Sequence, residues 1–231
     1  MKKITLRYAL VPIILIALYL ACAMSGSAAD YNLDPTADSY VYGGSASSNY
    51  GTAVDLIVKD GSGTTYDRMT YLKFDLSGIS GTISSATLKL YCNKLENGAP
   101  AIAKAFTVAS DSWTETGITW NNAPATGSQA GDTLSVEATG TWYSIDVTSY
   151  IASEHGGDQV ASICLKDDTQ CNKKIAFDSR EATNKPKLEV TIAGGTPTPS
   201  PTPTPPSILA CKSIIHNIDD NSIDIIQDDT V

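Results

Sequence analysis

Two tryptophans stand seven residues apart in the stretch SDSWTETGITWNNAPATG, which runs from Ser110 to Gly127. Exposed indole rings can stack on sugars, so Trp113 and Trp120 could form a platform for carbohydrate. The same rings could instead be buried and hold a long polar connection against a core. Burial of one Trp side chain removes about 200 Å² from water, worth roughly 5 kcal/mol as an upper limit. We therefore predict that these two rings are buried.

The residue types that most often catalyse reactions form no recognisable pattern in this sequence. Its two histidines are His155 and His216, and it contains no nucleophile elbow, zinc-protease motif, P-loop or dinucleotide fingerprint. Paired carboxylates could catalyse glycoside hydrolysis, but no Asp or Glu is distinguished by its neighbours. We predict that the protein is not an enzyme, with an unrecognised polysaccharide hydrolase or lyase as an alternative.

Oxygen ligands for calcium are plentiful but follow no known spacing. Asp30, Asp34 and Asp38 lie close together, and the loops VKDGSG and LKDDTQ add further acids. None of these segments has the EF-hand pattern. A structural calcium ion is compatible with the sequence, and no other cofactor is indicated.

The start of the chain has the pattern of a secretory signal peptide. Lys2, Lys3 and Arg7 precede an apolar run and the small residues of SGSAAD. We predict a signal peptide over residues 1–29, a secreted mature protein and no membrane association after cleavage. The net charge of −9 argues against nucleic acid and anionic membranes as partners, because both attract basic surfaces.

Residues 30–193 are predicted to form an all-β domain. The segment YLKFDL places Leu72, Phe74 and Leu76 on one face, and ATLKLYCN and PKLEVTI alternate in the same way. Turn-forming clusters separate these runs, and only DVTSYIASEH has a helical pattern, with Asp146 as the candidate N-cap. Many short strands with one apolar face indicate a jelly-roll-like β-sandwich.

Two further segments follow this domain. The stretch GGTPTPSPTPTPP, residues 194–206, is predicted to be an extended Thr/Pro linker. Residues 207–231 are too few to form a core alone. We expect them to be a disordered acidic tail or a fragment of a following domain.

Secretion allows disulfide bonds. Cys164 and Cys171 flank LKDDTQ, which is predicted to be a hairpin loop, so we predict a disulfide between them. Free buried thiols are the alternative, because connectivity cannot be derived from spacing alone.

Seven stretches of the sequence resemble, in the same order, the DNRLRE-type domain, which is also classed as carbohydrate-binding module family 96. They are ADSYVYGG (37–44), NYG (49–51), RMTYLKFDLSGI (68–79), SSATLKLY (84–91), WTETGITWNNAP (113–124), IDVTSYI (145–151) and SREATNKPKLEVT (179–191). The string that names the domain is present only as DSRE, from Asp178 to Glu181.

The resemblance implies a jelly-roll β-sandwich that binds carbohydrate without catalysis, in some members an acidic polysaccharide such as alginate. It also implies association with polysaccharide-active enzymes and surface proteins. We therefore expect a secreted module that attaches to extracellular or cell-wall polysaccharide, with a lost or separate catalytic domain as a partner. A structural or adhesive surface module without a specific glycan is the alternative.

The alternation of side chains along the strands predicts where a polysaccharide would bind. Four basic or aromatic side chains point away from the core on two predicted strands: Tyr71, Lys73, Lys89 and Tyr91. If these strands are neighbours, the four side chains form a patch suited to uronates, because rings stack on sugars and cations meet carboxylates. Arg68 and Arg180 could add bidentate contacts. A solvated outer face is the alternative.

Overall fold

The computed structural model describes residues 30–194, which form eleven strands, one α-helix and two short 3₁₀ helices. The strands are β1 Asp30–Leu33, β2 Ala37–Tyr42, β3 Asp55–Lys59, β4 Arg68–Asp75, β5 Ile83–Glu96, β6 Ala101–Val108, β7 Thr126–Val136, β8 Thr141–Asp146, β9 Val160–Lys166, β10 Lys174–Asp178 and β11 Lys187–Ile192. The helix α1 spans Thr148–His155, and the 3₁₀ helices span Gly43–Ser45 and Thr64–Tyr66.

The predicted signal peptide and acidic tail, and all of the predicted linker except its first residue, lie outside the described residues. Those three assignments remain predictions. Between residues 30 and 194, no helix is long and apolar enough to cross a membrane.

All described strand pairs are antiparallel. The order across the sheet is β1-β11-β5-β10-β3-β4-β9-β6-β7, with β2 added beside β4 and β8 beside β5. The sheet curls so that its two halves enclose one apolar core, as a β-sandwich does. The predicted fold class is thereby confirmed.

This inner core is built by the alternation that the sequence shows. Leu72 and Phe74 of β4 pack with Leu88 and Leu90 of β5, and all four side chains are fully buried. Burial of each of these side chains contributes about 1.5–3 kcal/mol. The face of each strand that points toward the core was therefore predicted correctly.

The predicted helical segment is confirmed as α1. Val147, and not the predicted Asp146, occupies the N-cap position. The Asp146 carboxylate accepts a hydrogen bond of 2.8 Å from the backbone N–H of Thr148, the first helical residue. Hydrogen bonds from the side chain and the backbone of Thr148 lower the pKa of Asp146. The helix is held down by Tyr150 and Ile151, which are buried in the inner core.

A second apolar cluster lies on the outer face of β4, β9 and β6. It contains Tyr71 from β4, Phe106 from β6 and Cys164 from β9, which face one another across the pairs of this part of the sheet. Residues 109–125, here called the Trp loop, connect β6 to β7 and cover this cluster with Trp113 and Ile118. The outer face of β4 is therefore covered at Tyr71, while Asp75 at the end of the strand remains exposed.

Candidate binding surface

The four side chains predicted to form one patch do not come together. Strands β4 and β5 are separated in the sheet by β3 and β10. Both strands point alternate residues into the same inner core, so their other side chains lie on different outer faces of the sandwich. The expectation that these two strands are neighbours is wrong, and Tyr71 with Lys73 is separated from Lys89 with Tyr91.

Tyr71 is buried beneath the Trp loop, with only 1% of its surface exposed. Its hydroxyl donates a hydrogen bond of 2.9 Å to the carbonyl of Pro124, and its ring meets Trp113 edge-to-face at 6.0 Å. Burial raises the pKa of Tyr71. In this position Tyr71 supports the fold and offers no surface to a sugar.

Lys73 fastens the same loop through its ammonium group. The Nζ atom donates to the carbonyl oxygens of Asp111 and Trp113 and lies 4.6 Å from the centre of the Trp113 ring. Burial lowers the pKa of Lys73. The Lys73 side chain is thus engaged within the protein and is not available to a uronate.

The tryptophans of the Trp loop are packed against the protein, as predicted. Trp113 is 7% exposed and donates an indole hydrogen bond of 3.0 Å to the Ser162 hydroxyl. Trp120 is partly buried against the same outer cluster. Asn49 braces the loop, because its side-chain amide donates two bonds of 2.7 Å to the carbonyls of Glu115 and Ile118.

Gly51, the last residue of the stretch NYG, lies where this part of the backbone comes close to the Trp loop. A Cβ atom at this position would lie 2.1 Å from the carbonyl oxygen of Glu115. Only glycine therefore lets the two backbones approach this closely.

A cleft of about 530 Å³ lies along the Trp loop. Its walls are neutral and include Ser110, Trp113, Ile118 and Asn122. Because the Trp113 ring is almost completely buried, this cleft offers little aromatic surface for stacking. A surface on which a sugar can stack therefore requires an aromatic ring that is exposed elsewhere in the described domain.

The tryptophan outside the Trp loop is exposed. Trp142 on β8 has 38% of its surface accessible and lies directly opposite Tyr91 of β5. The two rings meet edge-to-face, with centres 5.5 Å apart and planes at 66°. A strand-borne indole braced by a second ring is the kind of rigid platform on which a sugar can stack.

Lysine side chains stand beside this ring. A cleft of about 320 Å³ is lined by Lys89, Trp142, Lys187 and Glu189. Lys89 and Lys187 lie directly opposite each other on β5 and β11. We call the set of Lys89, Tyr91, Trp142, Lys187 and Glu189 the Trp142 surface.

Three lysines within residues 30–194 make neither an ion pair nor a hydrogen bond there: Lys59, Lys89 and Lys187. The others pair with carboxylates, or donate to backbone carbonyls or a hydroxyl. Two of the three thus belong to the Trp142 surface. Their ammonium groups can meet a ligand without breaking a contact within the described domain.

Trp142 and its neighbours are the residues that sequence reasoning missed. In TWYSID the outward position of Trp142 follows from the inward positions of Tyr143 and Ile145, which pack on the inner core. Lys187 and Glu189 were already predicted to point outward. The sequence did not predict that β8 and β11 pair with β5 on its two sides, which brings these side chains together.

The two predicted arginines lie elsewhere and already have partners. Arg68 stacks on Tyr42, with its guanidinium carbon 3.8 Å from the ring centre, and donates a bond of 2.9 Å to the carbonyl of Tyr66. Arg180 forms an ion pair of 2.9 Å with Glu115. Neither belongs to the Trp142 surface.

The residues best arranged to hold a cation are Asp38, Glu115 and Glu181, whose carboxylates lie within 4.8 Å of one another. Asp38 is 1% exposed, and burial raises its pKa to about 7. The backbone N–H of Arg180 donates 2.8 Å to Asp38, and its guanidinium neutralises Glu115. Part of the charge that would attract calcium is therefore compensated within the protein.

The other two predicted calcium ligands are not part of this group. Asp30 accepts a hydrogen bond from Thr191, and Asp34 lies 3.9 Å from Lys185. The acids near the start of the domain are thus distributed over separate contacts.

The structure does not contain the predicted disulfide, since Cys164 and Cys171 are both free thiols. Cys164 points into the outer cluster, where burial raises its pKa to about 12. Cys171 lies beyond the end of β9, and its sulfur donates to the carboxylate of Asp167 at 2.9 Å. Each sulfur is thus engaged in its own surroundings.

Comparison with known proteins gives two matches. The family model for carbohydrate-binding module family 96 matches residues 29–192. A gellan lyase from Bacillus sp is 29% identical over 184 residues, which is 77% of this chain. The matched region is 7% of that relative, so the chain spans a small fraction of the relative's length.

Proposed function

Because this chain belongs to carbohydrate-binding module family 96, we propose that it is a secreted, non-catalytic module that attaches to an acidic extracellular or cell-wall polysaccharide through the Trp142 surface. The observation on which this proposal depends is the exposed Trp142 ring, which lines one cleft together with two unpaired lysines, Lys89 and Lys187. The ring stacks on the apolar face of a sugar, and Lys89 and Lys187 meet its carboxylates.

The charge distribution supports a short-range contact with an acidic ligand. The whole chain carries −9, so its overall field repels polyanions. Surface charges act over about one Debye length, ~8 Å at physiological salt. A uronate seated on Trp142 lies within that range of the two lysines that line the same cleft, so the local attraction is felt when the ring is in contact.

The relative supports a role beside a polysaccharide-degrading activity. It is a gellan lyase, and the region that matches this chain is a small part of it. We infer that a module of this kind holds a catalytic domain, on the same chain or a separate one, against its substrate. Gellan is therefore the first ligand to test, followed by alginate as a second acidic polysaccharide.

A hydrolase or lyase activity of this domain itself is less well supported. The cleft at Trp142 is lined by a single carboxylate, Glu189, where glycoside hydrolysis requires two. A structural or adhesive module without a specific glycan would not need an exposed ring beside unpaired lysines. Release of oligosaccharides from gellan or alginate would support the enzymatic alternative.

Affinity electrophoresis of the protein in gels containing gellan, alginate or neutral dextran tests the proposal. We expect retardation by an acidic polysaccharide, which Trp142→Ala strongly reduces and Lys104→Ala leaves unchanged. Lys104 is a matched control for loss of a lysine, because it is paired with Asp168 on another part of the domain. Equal retardation of Trp142→Ala and the wild-type protein would exclude the Trp142 surface. No retardation in any gel would favour the structural module.

A further inference from the structure

A second exposed aromatic ring lies on another part of the domain. Tyr66 has 54% of its surface accessible, and Tyr66 and Trp142 are the two exposed large aromatic residues within residues 30–194. The third unpaired lysine, Lys59, lies beside it, with Nζ 5.9 Å from the ring centre. All three unpaired lysines of the described domain thus lie next to its two exposed rings.

The surroundings of Tyr66 are aromatic and basic. Lys59 of β3 lies opposite Arg68 of β4, and Arg68 lies opposite Tyr42 of β2, so the three form one row across three strands. Arg68 stacks on Tyr42 and uses one N–H to hold the carbonyl of Tyr66. We call Tyr42, Lys59, Tyr66 and Arg68 the Tyr66 surface.

The carboxylates of two acids close to this row accept hydrogen bonds from backbone N–H groups. The Asp67 carboxylate accepts the N–H of Gly61 at 2.9 Å, and the Asp60 carboxylate accepts the N–H of Gln170 at 2.6 Å. Neither pairs with Lys59 or Arg68. The cations of the Tyr66 surface therefore remain available, although acids flank them in the sequence.

The two surfaces are separate. Lys89 of the Trp142 surface lies seven positions before Glu96 on β5. Glu96 is paired with Lys174 of β10, and Lys174 is paired with Lys59 of β3. Glu96 and Lys59 are therefore two strands apart at the same level of the sheet. With about 3.3 Å per residue along a strand and about 4.8 Å between strands, Lys89 and Lys59 are roughly 25 Å apart, and Tyr91 is roughly 19 Å from Lys59. One short oligosaccharide cannot occupy both.

We propose that the Tyr66 surface is a second binding site for acidic polysaccharide, which makes the module bivalent. The inference rests on the proposed function for its ligand class, and on Tyr66, Lys59 and Arg68 for its position. The ring stacks on a sugar, Lys59 meets a carboxylate, and the free N–H groups of Arg68 add directed hydrogen bonds. Two weak sites on one rigid domain raise the affinity for a long chain through effective concentration, without any new contact.

NMR titration of the ¹⁵N-labelled protein with di- and trisaccharide fragments of alginate and gellan tests this proposal. The indole N–H of Trp142 reports one surface, and the backbone amides of Tyr66 and Arg68 report the other. We expect both sets of signals to shift in the wild-type protein, each saturating independently. Lys59→Ala with Tyr66→Ala should remove the second set only, Trp142→Ala the first only, and either variant should weaken binding to the long polysaccharide at least tenfold.

The outcomes separate this inference from the proposed function. Shifts confined to the Trp142 surface, with no effect of the Lys59 and Tyr66 substitutions, would overturn the second site and leave the first. Shifts confined to the Tyr66 surface would support the inference and move the principal site away from Trp142. No shift with any fragment, together with no retardation by the polysaccharides, would overturn both.

Discussion

The ammonium group of Lys73 lies 4.6 Å from the centre of the Trp113 ring and donates to the carbonyl oxygen of the same residue. The pair joins the middle of β4 to the Trp loop, forty residues further along the chain. From the sequence alone, the Lys73 ammonium group is a candidate contact for a uronate and the Trp113 ring is a candidate platform for sugar stacking. Their mutual contact instead fixes the loop over the outer cluster.

Trp113→Ala should therefore destabilise the fold. The substitution removes a buried ring and leaves the Ser162 hydroxyl without its donor, so we expect a loss of about 3–5 kcal/mol in the free energy of unfolding. Trp142→Ala is the matched control and should cost less, about 0.5–1.5 kcal/mol, because that residue is 38% exposed and loses mainly its edge-to-face contact with Tyr91. Urea denaturation followed by circular dichroism measures both. Equal losses in the two variants would contradict these assignments.

Asp38 should make stability decrease as the solution becomes more alkaline. Burial raises its pKa in the folded state to about 7, above the ordinary aspartate value of about 3.8, so folding favours the protonated form. The stabilisation of the folded state by Asp38 is complete below about pH 4 and is lost as the pH rises through about 7. Between pH 5 and pH 8 the free energy of unfolding should fall by roughly 2–3 kcal/mol from this group.

Comparison with Asp38→Asn isolates this effect, because the amide does not titrate. The difference between the two unfolding free energies should change between pH 5 and pH 8, and the variant alone should lack the decrease. EDTA in all buffers excludes a contribution from cations bound to Asp38, Glu115 and Glu181. Parallel curves for the two proteins would show that Asp38 is ionised in the fold at neutral pH.

The inward faces of the strands were predictable because they depend on local alternation. Leu72 and Phe74, or Leu88 and Leu90, are two residues apart and must share a face of their strand. The outward direction of Lys73 and Lys89 followed from the same pattern. These parts of the fold need no knowledge of distant segments.

The candidate site was harder to predict because it depends on pairings between distant segments. β10 lies about eighty residues beyond β5 in the chain, yet β10 and β3 separate β5 from β4. The Trp loop then covers one outer face, which makes Tyr71 a buried residue. Alternation along a strand contains no information on which strand becomes its neighbour or what covers it.

Residues 30–193 should fold without the segment that follows. β11 pairs with β1 and β5, and the last backbone hydrogen bond at this end joins the N–H of Ala193 to the carbonyl of Thr82 at 2.8 Å. Removal of residues 194–231 from the mature protein should therefore leave a single cooperative transition with an unchanged urea midpoint. Loss of the transition on truncation would mean that the C-terminal segment contributes to the core.

Salt should weaken binding of acidic fragments at the Trp142 surface and leave neutral ones almost unaffected. Lys89 and Lys187 make no ion pair within the described domain, and exposed ion pairs with a ligand contribute about 0.5–1 kcal/mol each. At low salt, Lys89→Ala with Lys187→Ala should thus reduce the affinity roughly five- to thirtyfold. The Trp142 indole N–H, followed by NMR during titration with alginate fragments, reports this surface separately from Tyr66.

Lys104→Ala with Lys173→Ala removes the same charge elsewhere and should retain wild-type affinity and salt dependence. A double Lys89 and Lys187 variant that is still salt-sensitive at Trp142 would mean that other cations bind the carboxylates.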